Sequence, residues 1–475
     1  RDPRYNDLYV INVESGERSL LYRSTDDGSE VTVDWLDGAW HPVLRAKVRP
    51  DAGSSYELRL PGDNSWRPFL QFDFEDTYTS APSAFTRDGR WLYGQLSTGE
   101  DRPRLVRWSR EHLESCGTDC TPEVVHRSSA GAFGIDLSDI DTGVPTVLKE
   151  VDLRSNRVVL DASVQPDLDR LTQLAGPNEF SVVDRDLGNR RWLIAIGSDQ
   201  QGPQYWLWDR DQDHIRKLFS VQPRLDDYDL VPMESLDLKA RDGHRLPAYL
   251  TRTPLAAEPG SQPLVLLVHG GPQARDYWGL NPLHQLLANR GYHVLSVNYR
   301  GSTGFGKAHL LAGEGEWYGR MQDDLVDAVR WACRSARTRR CRLVIQLDSA
   351  VAVSVLRKGR SSRGALRRHC RRLAAMTVAE AISVEARWVP TSRNMADQPS
   401  RGSAQPGPCV AAEPRLAPRR GARDSGLGYS SVANSDSDGP ASVASAALRG
   451  ESALVVCACG AAQGVYAGQR VGEAA

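Results

Sequence analysis

LVLLVHGGP, running from Leu264 to Pro272, decides how this chain is read. Five apolar residues lead into His269, two glycines and a proline. An apolar run of this length, closed by turn residues, is expected to be a strand buried on both faces of a sheet. Gly270 and Gly271 let the backbone turn sharply and bring its N–H groups close to whatever lies above the strand end. In open α/β sheets that is where ligands sit. A Gly-Pro turn after any buried strand would look the same in isolation.

The following sixty residues extend the pattern. Asn281-Pro282 starts a helix well, a capping side chain followed by a proline whose missing N–H costs nothing there. Leu283, Leu286 and Leu287 are expected on its buried side, and Gly291 at its stop. YHVLSVNY (Tyr292 to Tyr299) is a second apolar strand, and RGSTGFG (Arg300 to Gly306) a glycine-rich loop after it. Met321, Leu325, Ala328 and Ala332 share one face of a further helix. Strand–helix–strand–helix order implies a parallel sheet covered on both sides.

From His269 to Ala332 the chain resembles the catalytic domain of the prolyl oligopeptidase family, in its acylaminoacyl-peptidase and dipeptidyl-aminopeptidase types. HGGP, RDYWG, NRGY, VNYRGSTGFGK and a D-D-L-x-D-A-x-x-W helix occur in order. The resemblance implies a serine-type peptidase that hydrolyses short peptides with a Ser-Asp-His triad under a β-propeller lid. It implies peptide substrates and no cofactor. It also makes Gly270 and Gly271 candidates for the oxyanion hole, because an HGG-type turn supplies such an N–H in α/β-hydrolases.

The chain has 475 residues and a net charge of −1, so global charge points to no special partner. It starts with Arg, shows no leader-like segment, and has no apolar run of about eighteen residues, so no membrane span is expected. Of the eight cysteines, Cys116 with Cys120 and Cys457 with Cys459 are close pairs without histidines at metal spacing. No zinc site is expected, and a reducing, cytoplasmic location is the default.

Residues 1–228 read as all-β. Asp7 to Leu21, Tyr56 to Leu70, Arg104 to Ser109 and Tyr205 to Phe219 are strand units. Phe85 to Leu96 and Val183 to Gly197 are turn-then-strand segments. Their recurrence near every fifty residues suits propeller blades, with a β-sandwich pair as the alternative. A complete propeller of the family needs more chain, so a partial one is expected. Residues 229–333 are expected to be the N-terminal part of an α/β-hydrolase domain. It opens with a hairpin about Asp242-Gly243.

After Ala332 the family pattern lapses. An α/β-hydrolase needs a strand ending in G-x-S-x-G, whose small residues let the nucleophile stand exposed; the chain contains none. LVIQL (Leu343 to Leu347) ends instead in Asp348-Ser349, with bulky Leu347 and Val351 flanking Ser349. His369 sits among Arg367, Arg368, Arg371 and Arg372, charges that disfavour the imidazolium of a triad. Asp348 to Ala375 and Arg387 to Gly402 resemble a retroelement ribonuclease H. That resemblance matches Asp348 and Asp397 to two of the four carboxylates that hold paired metals. The other two have no counterpart, so no metal is expected, and a strand-end cap and a loop acid are the plainer roles. Residues 334–402 thus read as a basic ribonuclease-H-like fragment. Thirteen Arg or Lys against one acid between Cys333 and Arg372 suit weak nucleic-acid contact or a solvated face. Residues 403–475 read as low-complexity and disordered.

The expected architecture is a partial β-propeller, a truncated α/β-hydrolase sheet and a disordered C-terminal tail. The expected function is that of a serine-type peptidase by ancestry, inactive as written because Ser, Asp and His of the triad are missing. The alternative is a non-catalytic remnant, or a chimeric gene model joined near Ala332 to Arg342 with a nucleic-acid-binding tail.

Overall fold

The computed structural model describes residues 7–23, 29–117, 120–255, 263–317 and 319–335, with strands at 342–347, 383–388 and 454–457. The chain divides into two units. Unit 1 comprises Arg1–Ile196, Tyr205–Leu218 and Thr303–Leu311; unit 2 comprises Gly197–Gln204, Phe219–Ser302 and Ala312–Ala475. Helices are α1 (Phe74–Thr77), α2 (Arg110–Ser115), α3 (Gln165–Ala175), α4 (Pro282–Ala288), α5 (Lys307–Leu311) and α6 (Arg320–Ser335).

Unit 1 is a succession of open antiparallel sheets, each built from strands that follow one another. β1 (Leu8–Ile11) pairs with β2 (Arg18–Tyr22). The next sheet is β3 (Glu30–Leu36), β4 (Ala39–Val48), β5 (Ser54–Leu58) and β6 (Arg67–Phe72). Then come β7 (Ala81–Phe85), β8 (Trp91–Leu96), β9 (Arg104–Ser109) and β10 (Glu123–Arg127), followed by β11 (Phe133–Ser138), β12 (Pro145–Val151) and β13 (Ser155–Val159). The last is β14 (Glu179–Arg185), β15 (Arg191–Gly197), β16 (Gln204–Asp209) and β17 (His214–Ser220). The first strands of the four larger sheets, at Glu30, Ala81, Phe133 and Glu179, lie about fifty residues apart, the spacing read from the sequence.

Local chemistry explains the hairpins. Between β3 and β4, Asp37 and Gly38 both take positive φ, 50° and 76°, as a two-residue primed turn requires. Aromatic and aliphatic side chains then fill the interior. Trp108 and Leu92 anchor one cluster, Trp192, Ile194 and Trp208 another. The Trp108 indole donates to the Cys120 carbonyl at 2.8 Å, and the Trp192 indole to Asn189 Oδ1 at 2.8 Å, so neither ring leaves a buried donor unmet.

Two expectations fail in unit 1. It is not all-β, since α3 buries Leu168, Leu171 and Ala175 beneath the last sheet's cluster. That spacing is helical, and Pro166 and Gly176 bracket it. Cys116 and Cys120, read as a close pair with a reducing location as the default, form a disulfide. The four-residue separation at the end of α2 brings their Cα atoms to 5.1 Å, within bridging range.

The segment Thr303–Leu311 belongs to unit 1 by its contacts. Lys307 Nζ pairs with Asp76 at 2.8 Å, Asp101 accepts from the Ala308 N–H at 2.7 Å, and Gly131 bridges Phe305. A Cβ on Gly131 would lie 2.2 Å from the Gly306 nitrogen, so only glycine permits that approach.

Unit 2 is organised on a seven-stranded mixed sheet. Its strands are β18 (Met233–Lys239), β19 (Arg245–Thr251), β20 (Leu264–Val268), β21 (His293–Val297), β22 (Arg342–Leu347), β23 (Ser383–Trp388) and β24 (Leu454–Cys457). They lie in the order β18-β19-β21-β20-β24-β22-β23. β18 and β19 form the expected hairpin, closing at Lys239↔Arg245 with Gly243 at φ 85°. β20 and β21 are parallel, and α6 packs Ala328 and Ala332 on the sheet with Leu325 and Val329 beside them.

Here too the structure departs from the reading. The sheet does not stop at β20. β24 pairs with β20 in parallel through Val265↔Leu454 to Val268↔Cys457, and β22 and β23 follow. Leu-Val-Val-Cys is a β-forming run, and pairing it covers the apolar edge of β20. Residues 454–457 are therefore a strand, not disordered tail. On α4, Leu283 and Leu286 are 53% and 45% exposed, while His284, Gln285 and Ala288 are buried. The polar pair faces in because it has partners there. Gln285 accepts from the Val231 N–H at 2.9 Å and donates to the carbonyls of Val231 and Asp199 at 2.7 and 3.1 Å. No described helix is long and apolar enough to cross a membrane.

Candidate active site

The carboxyl end of β20 delivers His269 and the turn Gly270–Pro272. Gly271 takes φ 131°, and a Cβ there would meet the Gln273 nitrogen at 2.6 Å, so the turn needs glycine. The Gly271–Pro272 peptide is cis. Among the described residues, no backbone carbonyl accepts from the N–H of Gly270 or Gly271.

The chain that follows β21 holds this turn from the side. Tyr299 stacks on His269 with centroids 4.8 Å apart and planes 16° apart, and its hydroxyl donates to the His269 carbonyl at 2.9 Å. His269 Nε2 lies 3.0 Å from Ser302 Oγ, and Nδ1 lies 3.0 Å from the Gly270 carbonyl. The Ser302 hydroxyl in turn donates to the Tyr299 carbonyl at 2.6 Å. Gly301, at φ 96°, comes so close to Met321 and Pro272 that a Cβ would lie 2.7 Å from the Met321 methyl.

Asn298, fully buried, fixes the next loop. Its Oδ1 accepts from the Asp276 N–H at 2.7 Å and its amide donates to the Asp276 carbonyl at 3.3 Å. Burial pushes the Asp276 carboxyl up, and the charges of His269 and Arg275 oppose that. Asp276 Oδ2 has no hydrogen-bond partner among the described residues.

Beneath the turn lies a buried ion pair. Arg300, 3% exposed, donates from Nε and Nη2 to the two oxygens of Asp324, 0% exposed, at 2.8 and 2.7 Å. Its Nη2 also reaches Asp242 at 2.9 Å. The two-pronged geometry and extra acceptor offset the desolvation of both charges. His284 bridges Thr251 Oγ1 and Ser296 Oγ at 2.9 Å each, and burial holds its pKa down to about 4.

The structure thus brings Gly270 and Gly271 together with Tyr299, Ser302 and Asp276. Sequence reasoning saw the two glycines but not these partners. The motifs RDYWG and VNYRGS carried the signal. Their meeting depends on β21 lying beside β20. Asp348, Ser349, His369 and Asp397 lie outside the described residues, as does the basic segment 333–372 apart from Cys333–Ser335 and β22. Among the described residues no group of His, Cys, Asp or Glu is placed to hold a metal.

Comparison with known proteins gives the context. Residues 278–349 match the prolyl oligopeptidase family, and the match runs past Ala332 through β22. Dipeptidyl aminopeptidase BIII of Pseudoxanthomonas mexicana is 36% identical over 345 residues, covering 71% of this chain and 48% of the relative. Dipeptidyl peptidase family member 6 of Caenorhabditis elegans is 26% identical over 358 residues, covering 70% and 47%. In fold, a puromycin-hydrolysing peptidase of Mycobacterium tuberculosis superposes with a TM-score of 0.50 at 18% identity, over 71% of this chain and 51% of that one. The chain spans about half the length of these relatives. By sequence, then, residues 278–349 match the prolyl oligopeptidase family, and over about 70% of its length the chain is similar to dipeptidyl aminopeptidases.

Proposed function

We propose that this chain carries the oxyanion-binding part of a serine-type dipeptidyl aminopeptidase site. The observation that supports it best is the glycine turn at the carboxyl end of β20, held on one side by Tyr299 and Ser302. In the complete reaction a serine hydroxyl, deprotonated by a histidine, attacks the peptide carbonyl. The carbonyl oxygen gains charge as the bond forms. The N–H of Gly270 or Gly271 is the group to receive it. Removing one such donor costs about a hundred- to a thousandfold in rate.

The successive sheets of unit 1, about fifty residues apart, suit the blades of a propeller. The relatives named above are peptidases, which favours a peptide ligand and lends nothing to a nucleic-acid role for residues 333–372. This chain has no G-x-S-x-G nucleophile turn. We therefore expect no turnover of a dipeptidyl chromogenic substrate. Hydrolysis that a serine-directed phosphonate abolishes would show that a nucleophile is present and overturn the inactive reading.

A further inference from the structure

Gly301 and Gly313 touch backbone to backbone within unit 2. A Cβ on Gly313 would lie 2.6 Å from the Gly301 Cα and 2.5 Å from the Met321 methyl, and one on Gly301 would lie 3.3 Å from the Pro272 ring. The chain from Ser302 to Ala312 therefore leaves and returns at one point, as in an Ω-loop. Its neck is fixed. The Arg300 N–H donates to Asp324 at 3.0 Å, and the Ser302 N–H donates to the Tyr299 carbonyl at 3.0 Å.

The tip, Thr303–Leu311, is held in unit 1. Gly306 approaches Asp101 so closely that a Cβ would lie 2.5 Å from its Oδ2. Lys307 donates its N–H to the Asp101 carbonyl at 2.9 Å and its Nζ to Asp76 at 2.8 Å. The Ala308 N–H donates to Asp101 Oδ1 at 2.7 Å. Asp76 is itself fixed, because the fully buried Ser97 donates to the same oxygen at 2.6 Å. Lys307 and Asp76 are 12% and 13% exposed, so salt and water screen the pair less than a surface pair. Connecting loops ordinarily end in solvent; this one ends in a shielded ion pair.

We propose that the loop closed by Gly301 and Gly313 is a tie that steadies the Gly270–Gly271 turn, with Lys307, Asp76 and Asp101 as its positioning residues. Attachment of the tip removes the loop's conformational freedom. The neck passes that restraint on at two points: Ser302 Oγ lies 3.0 Å from the His269 ring, and Gly301 abuts Pro272. A loop freed at its tip moves at both. Any effect on rate rests on the oxyanion reading above; the mechanical link does not.

Amide exchange on the full chain tests this. Two hydrogen-bonded amides report on the neck and the turn, Ser302 and Ala274, the latter donating to the Pro272 carbonyl at 2.7 Å. In Lys307→Met both are expected to exchange about tenfold faster, the scale of one lost hydrogen bond to a charged group, while β8 and β20 keep their rates. Lys307→Arg keeps the charge and is expected to match the parent. Asp101→Ala, at an exposed position, is expected to act as Lys307→Met does, and it decides the matter should Lys307→Met unfold unit 1. Acceleration confined to Thr303–Leu311, with Ser302 and Ala274 unchanged, overturns the proposal, as does equal acceleration of β20. No turnover is read, so an inactive chain leaves the result standing, and a turn indifferent to Lys307 leaves the peptidase reading standing.

Discussion

Unit 1 and unit 2 solve the problem of sheet building in opposite ways. In unit 1 every strand of a sheet pairs with its neighbour in sequence, and short turns such as Asp37-Gly38 set the register. In unit 2 the order β18-β19-β21-β20-β24-β22-β23 joins strands nearly two hundred residues apart. Local pairing needs little beyond turn chemistry and alternating side chains. Long-range pairing must first meet the entropy of closing long loops. Unit 2 accordingly places specific buried polar groups at its centre: Arg300 with Asp324, His284 with Thr251 and Ser296, Asn298 on the Asp276 backbone. Unit 1 buries polar groups as well, among them Glu150 with His126 and Ser129, beside clusters of indoles and aliphatic side chains.

The contrast has measurable consequences. The largest is expected from Arg300→Ala, which strands the Asp324 carboxylate in the interior. A loss of about 3–5 kcal/mol is expected. Amide exchange should accelerate across β19–β21 while β7–β10 keep their protection. Equal loss in both units would break the comparison.

Next comes pH. In unit 2, His284 is held down to about 4, below the ordinary 6.5, because burial favours the neutral ring. Its contribution is complete above about pH 6.5 and is lost as pH falls toward 4, by about 3 kcal/mol at most. In unit 1, burial pushes Asp34 up to about 6, with the Phe85 N–H opposing. Its stability is present below about pH 4 and is lost as pH rises through 6, again by about 3 kcal/mol at most. Segment-resolved exchange between pH 4 and 6.5 should therefore show the two units moving oppositely. His284→Gln and Asp34→Asn should each flatten its own unit's slope, and parallel slopes that survive both substitutions would refute this.

The smallest effect is expected at the exposed face of α4. Leu283→Ser should change thermal stability by no more than about 0.5 kcal/mol. A loss above about 2 kcal/mol would mean that Leu283 is covered and that the inward polar face is misassigned.

Much of this was legible in the chain. The hairpin at Asp242-Gly243, the strands at Leu264–Val268 and His293–Val297, and the helix carrying Met321, Ala328 and Ala332 follow from periodicity and turn residues. α4 shows where that reasoning fails. Its leucines obey helical spacing, yet His284 and Gln285 face inward because Thr251, Ser296, Val231 and Asp199 meet their hydrogen bonds. Those partners are remote in sequence and invisible to a local pattern. α3 is the opposite case, since the spacing of Leu168, Leu171 and Ala175 between Pro166 and Gly176 is a local helical signal carried by the chain itself.

The sequence by itself determined the local devices: a glycine turn after an apolar strand, a capped helix start, and strand units repeating near fifty residues. Each depends on the preferences of neighbouring residues and on a fixed side-chain period. Only the tertiary structure decided that Tyr299 would stack on His269, that Ser302 would meet its ring, and that Asp324 would lie under Arg300. These groups gain from contact only when burial removes competing water, and burial is a property of the assembled unit.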